Sequence, residues 1–281
     1  MRLPELQALC EALVPGGGGV EIQRSGEGLV NQAFRVTREQ RDYALRVAIA
    51  DGSAIALNRG WEAQLLKVAG DAQLAPALLF SDAGRGVLLS EWLTGRSWSD
   101  VDLAAAASIE RISGLLRAVH GLPIPLPAHA MSPAQWLTHY ESRGATLGKH
   151  RPAAIDRLNQ LAELPAAPRV VCHGDLHRLN LVQTGDSLRL LDWEYAHVSE
   201  SFWDLAGWCA NGDLTEDAQR RLLTCYLGGP PNAGHWRRLR LLAWLYDYIC
   251  LQWSSLLAAP PPAGLAERAA FLDARLSLPA N

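Results

Sequence analysis

A chain of 281 residues that is 49% apolar and 20% charged can bury a core in one large domain or two intimate lobes, which excludes a disordered segment. A formal charge of −3 and a pI near 6.2 leave no basic footprint, so neither nucleic acid nor an anionic membrane surface is an expected partner. The five cysteines (Cys10, Cys172, Cys209, Cys225 and Cys250) are odd in number, scattered and without Cys-x-x-Cys spacing, so they read as buried free thiols in a reducing cytoplasm.

Met1 to Val14 repeats apolar residues at helical spacing, but Glu5 and Glu11 interrupt the run and exclude the apolar core of a signal peptide. The glycines from 16 to 19 read as a flexible connector. Strands are predicted at Val20 to Arg24, Gln32 to Thr37, Tyr43 to Ile49 and Val87 to Leu93, with one helix from Asn58 to Ala69. Beyond Gly95 helical periodicity dominates. Leu103, Ile109, Ile112, Leu115, Leu116 and Val119 predict one long helix from Asp102 to His120, stopped by Gly121 and Pro123. Further helices are predicted over Pro133 to Tyr140, Ala153 to Ala162, Phe202 to Ala210, Asp217 to Tyr226, His235 to Leu257 and Leu265 to Leu276. The segment from Leu241 to Ala259 is apolar enough to suggest a membrane span, yet Asp247 in its middle and aromatics spread along it fit a buried helix. A strand-rich first third followed by a helix-rich remainder describes an α+β chain of two lobes, residues 1–95 and 96–281, with a cleft between them as the expected ligand site.

The densest chemistry lies in Val170-Val-Cys-His-Gly-Asp-Leu-His-Arg-Leu-Asn180 and Leu188-Arg-Leu-Leu-Asp-Trp-Glu-Tyr195. An apolar run from Val170 to Cys172 enters a polar loop; Leu179 to Gln183 and Leu188 to Leu191 read as strands about the turn Thr184-Gly-Asp-Ser187. Antiparallel pairing about that turn brings Asn180 and Asp192 to one end of a hairpin. Oxygen ligands held side by side suit Mg²⁺, which completes its shell with water and substrate phosphates.

With these residues on the page, the chain resembles a family of small-molecule kinases. His173-Gly-Asp-x4-Asn180 followed by Leu-Asp192-Trp-Glu-Tyr-Ala resembles the catalytic segment of choline, ethanolamine and thiamine kinases and of aminoglycoside phosphotransferases. Gly26-Glu-Gly-Leu-Val-Asn31, Tyr43-Ala-Leu-Arg46, Asn58-Arg-x2-Glu62 and Glu91-Trp-Leu-Thr-Gly95 follow in that family's order, so the resemblance covers most of the chain. It implies a bilobal protein-kinase-like fold, with a small strand-rich N-lobe and a larger helical C-lobe. The implied activity is ATP- and Mg²⁺-dependent transfer of a phosphoryl group to a hydroxyl of a small metabolite.

The resemblance assigns Asp175 as the carboxylate that takes the acceptor's proton, His173 as the residue that shapes the loop, and Asn180 and Asp192 as metal ligands. Gly26, Gly28 and Asn31 would let backbone N–H groups approach phosphates. Arg46, braced by Glu62, would clamp the α- and β-phosphates, and the connection through Glu91 and Leu93 would read the adenine edge. Arginine at position 46, where aminoglycoside phosphotransferases usually carry lysine, looks more like the choline and thiamine kinase branch. Trp244, Asp247 and Tyr248 fall on one helical face, an aromatic cage for a cationic acceptor, with Glu194 as a further acidic group. Asp204 reads as a brace of the loop. The acceptor stays open between a choline, ethanolamine or thiamine type and an aminoglycoside or sugar type. A non-catalytic binding protein would instead lack Asp175, Asn180 or Asp192, and a metallohydrolase built on His173, Asp175 and His177 lacks a further histidine companion.

Overall fold

The computed structural model of the chain describes residues 3–27, 30–49, 52–145, 148–256 and 263–278. It opens with α1 (Leu3–Leu13), followed by β1 (Glu21–Glu27), β2 (Asn31–Arg38), β3 (Arg41–Ala48), α2 (Arg59–Asp71), β4 (Leu78–Asp82), β5 (Val87–Glu91) and β6 (Arg96–Ser97). Helices α3 (Asp100–Ala104), α4 (Ala106–His120), α5 (Pro133–Ser142) and α6 (Arg151–Ala162) come next, then β7 (Arg169–Cys172). The chain continues through β8 (Leu181–Thr184), β9 (Ser187–Leu190) and β10 (His197–Glu200), and finishes with α7 (Phe202–Asn211), α8 (Glu216–Leu227), α9 (Ala233–Ser255) and α10 (Ala263–Leu276).

Two compact units result. The first comprises Met1–Ser53, Leu57–Ser97 and Asn180–Tyr195; the second comprises Ala54–Ala56, Trp98–Leu179 and Ala196–Asn281. In the first, five antiparallel strands run in the order β1-β2-β3-β5-β4. The alternation of β3 turns Tyr43, Leu45 and Val47 to one face, where Leu6, Leu9 and Cys10 of α1, and Val14 just after it, bury against them with Val36, Val87 and Leu89. The helical spacing seen in the first residues is thus the apolar stripe of a helix lying on a sheet. Helix α2 begins where the Asn58 side chain accepts a hydrogen bond from Trp61 N at 3.0 Å. The hairpin β8–β9 belongs to this unit, since β6 pairs with β8 and Leu190 N donates to Leu74 O at 2.8 Å. Gly95 is required there, because a Cβ at that position would clash with the Gln183 carbonyl.

In the second unit, α9 packs against α5, α6, α7 and α10, and α4 against α8. Helix α7 is buried from Phe202 to Ala210, and a Cβ on Gly207 would meet the Tyr246 ring at 2.9 Å, so glycine allows α7 and α9 to approach. Strand β7 pairs only with the short β10 in a two-stranded sheet.

Several predicted boundaries move. The single helix expected from Asp102 to His120 is two, because Ser99 and Asp102 form a capping box that starts α3 early and Ala105 then takes an extended conformation, ψ 130°. The strand expected from Leu179 begins at Leu181, after a 3₁₀ turn over Arg178–Asn180. The strand expected to run to Leu93 ends at Glu91. Strands β4 and β10 carry no sequence expectation. Among the described residues no helix is long and apolar enough to cross a membrane.

Candidate active site

In the first unit, β-sheet register sets one side of a cavity of about 680 Å³. Arg46 stands opposite Ala33 on β2 and Leu88 on β5, while Ala44 stands opposite Arg35 and Ser90, so these side chains share the face turned away from α1. All six line the cavity, together with Glu62, Glu91, Leu93, Asn180 and Asp192. The hairpin supplies the last two. Leu181 pairs with Leu190, and Leu191 N donates to Asn180 O at 2.8 Å, which places Asn180 and Asp192 at the same end. Asp192 has φ 58°, a left-handed conformation uncommon outside glycine that Asp tolerates better than most residues. Its carboxylate is 42% exposed.

A charged network ties these groups. Arg46 donates to Glu62 and, at 2.8 Å, to Asp192, and lies 3.8 Å from Glu194. Burial opposes the charge on Arg46, but Glu62, Asp192 and Glu194 outweigh it and raise the guanidinium pKa above its usual value. Glu62, 2% exposed, also receives Arg59 at 3.2 Å. Arg59 reaches Glu194 at 2.9 Å and the Asn31 amide oxygen at 2.7 Å, and Asn31 in turn donates to Glu194 at 2.7 Å. Glu194 and Asn31 are therefore partners of each other in the first unit. Neither lines the cavity among the described residues, whereas Trp244, Asp247 and Tyr248 belong to the second unit. Gly26 pairs with Ala33 at a β-bulge of β1, where a Cβ would make only an ordinary contact, and Gly28 lies outside the described residues. The Glu91 carboxylate accepts from Ala77 N and Arg189, each at 3.2 Å, and the Glu91 amide donates to Ala77 O; Trp92, Leu93, Thr94 and Gly95 continue the cavity lining beyond it.

In the second unit, β7 delivers the chain into the loop from His173 to Leu179. Asp204 of α7 holds its start: its carboxylate accepts from His173 N at 2.8 Å and Gly174 N at 2.9 Å, and His120 Nε2 lies 3.2 Å away. Burial pushes the Asp204 pKa up, but the His120 bond and charge, His173 and the Gly174 amide win and keep the carboxyl below its usual range. Asp175 is 34% exposed, with His177 Nε2 at 3.4 Å. Its charge is felt by Tyr140, Tyr246 and Cys250, all raised first by burial. His173 is fully buried, and among the described residues the His/Cys/Asp/Glu group that converges closely is His120, Cys172 and Asp204, not His173, Asp175 and His177. That group is already hydrogen-bonded, with the Cys172 thiol donating to Glu200 O and its pKa pushed far up by burial.

On α9, Trp244, Asp247 and Tyr248 are all engaged within the chain. Trp244 stacks on Tyr248 at 5.6 Å, and the Arg157 guanidinium lies 4.0 Å from the Trp244 ring centre. Asp247 accepts from Arg275, and Tyr248 is 1% exposed.

The model of the Phosphotransferase enzyme family matches residues 21–242. The chain belongs to this phosphotransferase family. Its fold is that of a choline/ethanolamine kinase family protein from Mesorhizobium loti, with 24% identity, 99% of this chain and 96% of that one covered, and a TM-score of 0.77. The choline kinase LicA from Streptococcus pneumoniae is similar at 19% identity, covering 98% of both chains with a TM-score of 0.80. The aminoglycoside phosphotransferase APH(4)-Ia, in complex with AMP-PNP and hygromycin B, shares the fold at 15% identity, 97% and 96% coverage and a TM-score of 0.70. Among curated proteins no sequence matches the chain. The α+β, protein-kinase-like class expected from the motifs is therefore the class of this phosphotransferase.

Sequence reasoning gave no role to Arg59, Arg189 or His120. The i,i+3 spacing of Arg59 and Glu62 is a local signal for the first; the partners of the other two lie far along the chain. His120 bears on loop stability. In this phosphotransferase Asp204→Ala removes a carboxylate that is 1% exposed and leaves His120 and two amides without it, so the unfolding free energy should fall by about 3–5 kcal/mol. Urea unfolding at neutral pH checks this. Because the folded-state pKa is depressed, the contribution is full at neutral pH and is lost as pH falls through and below the usual carboxylate range.

Proposed function

We propose that this phosphotransferase is a Mg²⁺-dependent kinase that moves the γ-phosphoryl group of ATP directly onto the hydroxyl of a small cationic metabolite of choline, ethanolamine or thiamine type. The observation that carries the reading is Arg46, bonded to Glu62 and Asp192 on the wall of a nucleotide-sized cavity that Asn180 also lines. Arg46 would clamp phosphates, with Glu62 fixing its guanidinium plane. Asn180 and Asp192 offer an amide and a carboxylate oxygen, a hard donor set that fits Mg²⁺ and would hold it. Mg²⁺ held there would supply neutralisation of the phosphate charge. The backbone beyond Glu91, through Leu93, would meet the base.

Asp175 would accept the acceptor's hydroxyl proton, held in register by the Asp204 bonds to His173 and Gly174. His173 would shape the loop from inside. An aminoglycoside or sugar acceptor is the second reading. Arg157 over Trp244 and Arg275 on Asp247 fill the α9 face that would otherwise cage a quaternary ammonium, so that face gives the first reading no advantage over the second.

The test is ADP release with Mg-ATP against choline, ethanolamine, thiamine, a hexosamine and an aminoglycoside. Turnover with one of the first three supports the proposal, and turnover with only the last two supports the second reading. Absence of nucleotide binding overturns both.

A further inference from the structure

A second cavity, of about 850 Å³, lies wholly in the second unit, within the size range of small-molecule sites. Its apolar wall is the segment from Leu164 to Pro168, and an aromatic pair, Phe202 and His235, stacked at 5.9 Å, also lines it. Its charge has one sign. Arg117 and Arg238 line it, and the described lining residues include no carboxylate. Glu200 neutralises Arg238, which lies over the Phe202 ring, whereas Arg117 spends a donor on the Cys225 carbonyl and keeps its charge. The cavity also has a polar end. The Tyr226 hydroxyl lies 2.7 Å from His120 Nδ1 and bonds Ser201, and His120 Nε2 meets the Asp204 carboxylate that holds His173 N and Gly174 N. A continuous chain of hydrogen bonds thus runs from the cavity to the loop that carries Asp175.

We infer that this cavity is a second ligand site, taking a small organic anion with a flat apolar body, and that the Asp175 loop senses its occupancy through Tyr226, His120 and Asp204. The anion would pair with Arg117 and lay its apolar body against Phe202 and the 164–168 wall. An anion oxygen that draws the Ser201 hydroxyl away from Tyr226 would alter the Tyr226 bond to His120, since hydrogen bonds in a chain polarise one another. The site stands without the kinase reading; only the catalytic consequence of the coupling rests on it.

Calorimetric titration of the full chain with benzoate and phenyl phosphate, and with benzylamine as a cationic counterpart, tests the site. Both anions should bind saturably and benzylamine should not. Arg117→Gln, on an exposed side chain, should weaken the anions on the order of tenfold while leaving Mg-ATP binding unchanged. Amide exchange at His173 and Gly174 should slow when phenyl phosphate binds to the natural chain and stay constant in Tyr226→Phe, which still binds it. No saturable anion binding, equal binding of benzylamine, or an unaltered affinity in Arg117→Gln overturns the site. Exchange that responds alike in Tyr226→Phe and the natural chain, or in neither, overturns the coupling. None of these readouts needs turnover, so failure of the kinase proposal, seen as absence of Mg-ATP binding, is a separate result.

Discussion

Asp175→Asn should lower kcat by about 10²–10⁴-fold while leaving the affinity for Mg-ATP nearly unchanged. Asparagine keeps the size and the hydrogen-bonding reach of the side chain but cannot take up the acceptor's proton. The loop should keep its shape, because Asp204 holds its start through the backbone amides of His173 and Gly174. Asp175 is not among the described residues that line the cavity with Arg46, Glu62, Asn180 and Asp192, so the substitution removes no group from that cavity. Steady-state kinetics paired with calorimetry separates the two effects. Turnover retained at the natural rate would remove Asp175 from the role of base.

Asp192→Ala should act in the opposite sense, on binding before turnover. Loss of the carboxylate removes half of the oxygen donor pair that suits Mg²⁺, and the affinity for Mg-ATP should fall by about 100-fold, or roughly 2.7 kcal/mol. Affinity for ATP without Mg²⁺ should stay level or rise, because an anion that now neutralises Arg46 is gone and its guanidinium is left to the phosphates. A loss that is equal with and without Mg²⁺ would mean that Asp192 shapes the cavity and does not hold a metal. The same titration therefore distinguishes the ligand role from the structural one.

The hairpin that carries Asn180 and Asp192 was legible because its register is local. Gly185 has φ 60° in a two-residue turn between Thr184 and Ser187, and once that turn is fixed the pairing Leu181 to Leu190 follows. Helix α2 was legible for a similar reason, through the apolar spacing of Trp61, Leu65, Leu66 and Ala69, although the structure makes Asn58 its cap and starts the helix at Arg59. Strand β4 was not, since none of its five residues is fully buried and its sequence has no clear inward face. Strand β10, His197-Val-Ser-Glu200, is short and mostly polar, and forms between β7 and the segment His129–Met131, partners far along the chain.

Side-chain partnerships were harder to read than elements. Glu194 sits two residues from Asp192 and was expected near the acceptor; its partners Asn31 and Arg59 lie more than a hundred positions away in sequence, beyond the reach of any local pattern. The face formed by Trp244, Asp247 and Tyr248 follows from helical geometry, but Arg157 and Arg275, which cover it, come from α6 and α10. Helical spacing says which side chains share a face. It does not say what that face touches.

The most direct test of the central claim is to incubate the protein with Mg-ATP and the five acceptors together and to quantify ADP and phosphorylated acceptor in the same sample by mass spectrometry. The account predicts equal amounts of both, dependent on Mg²⁺ and on an acceptor, with almost none of either in Asp175→Asn. ADP accompanied by inorganic phosphate and no phosphorylated acceptor, or equal product from Asp175→Asn, would contradict it.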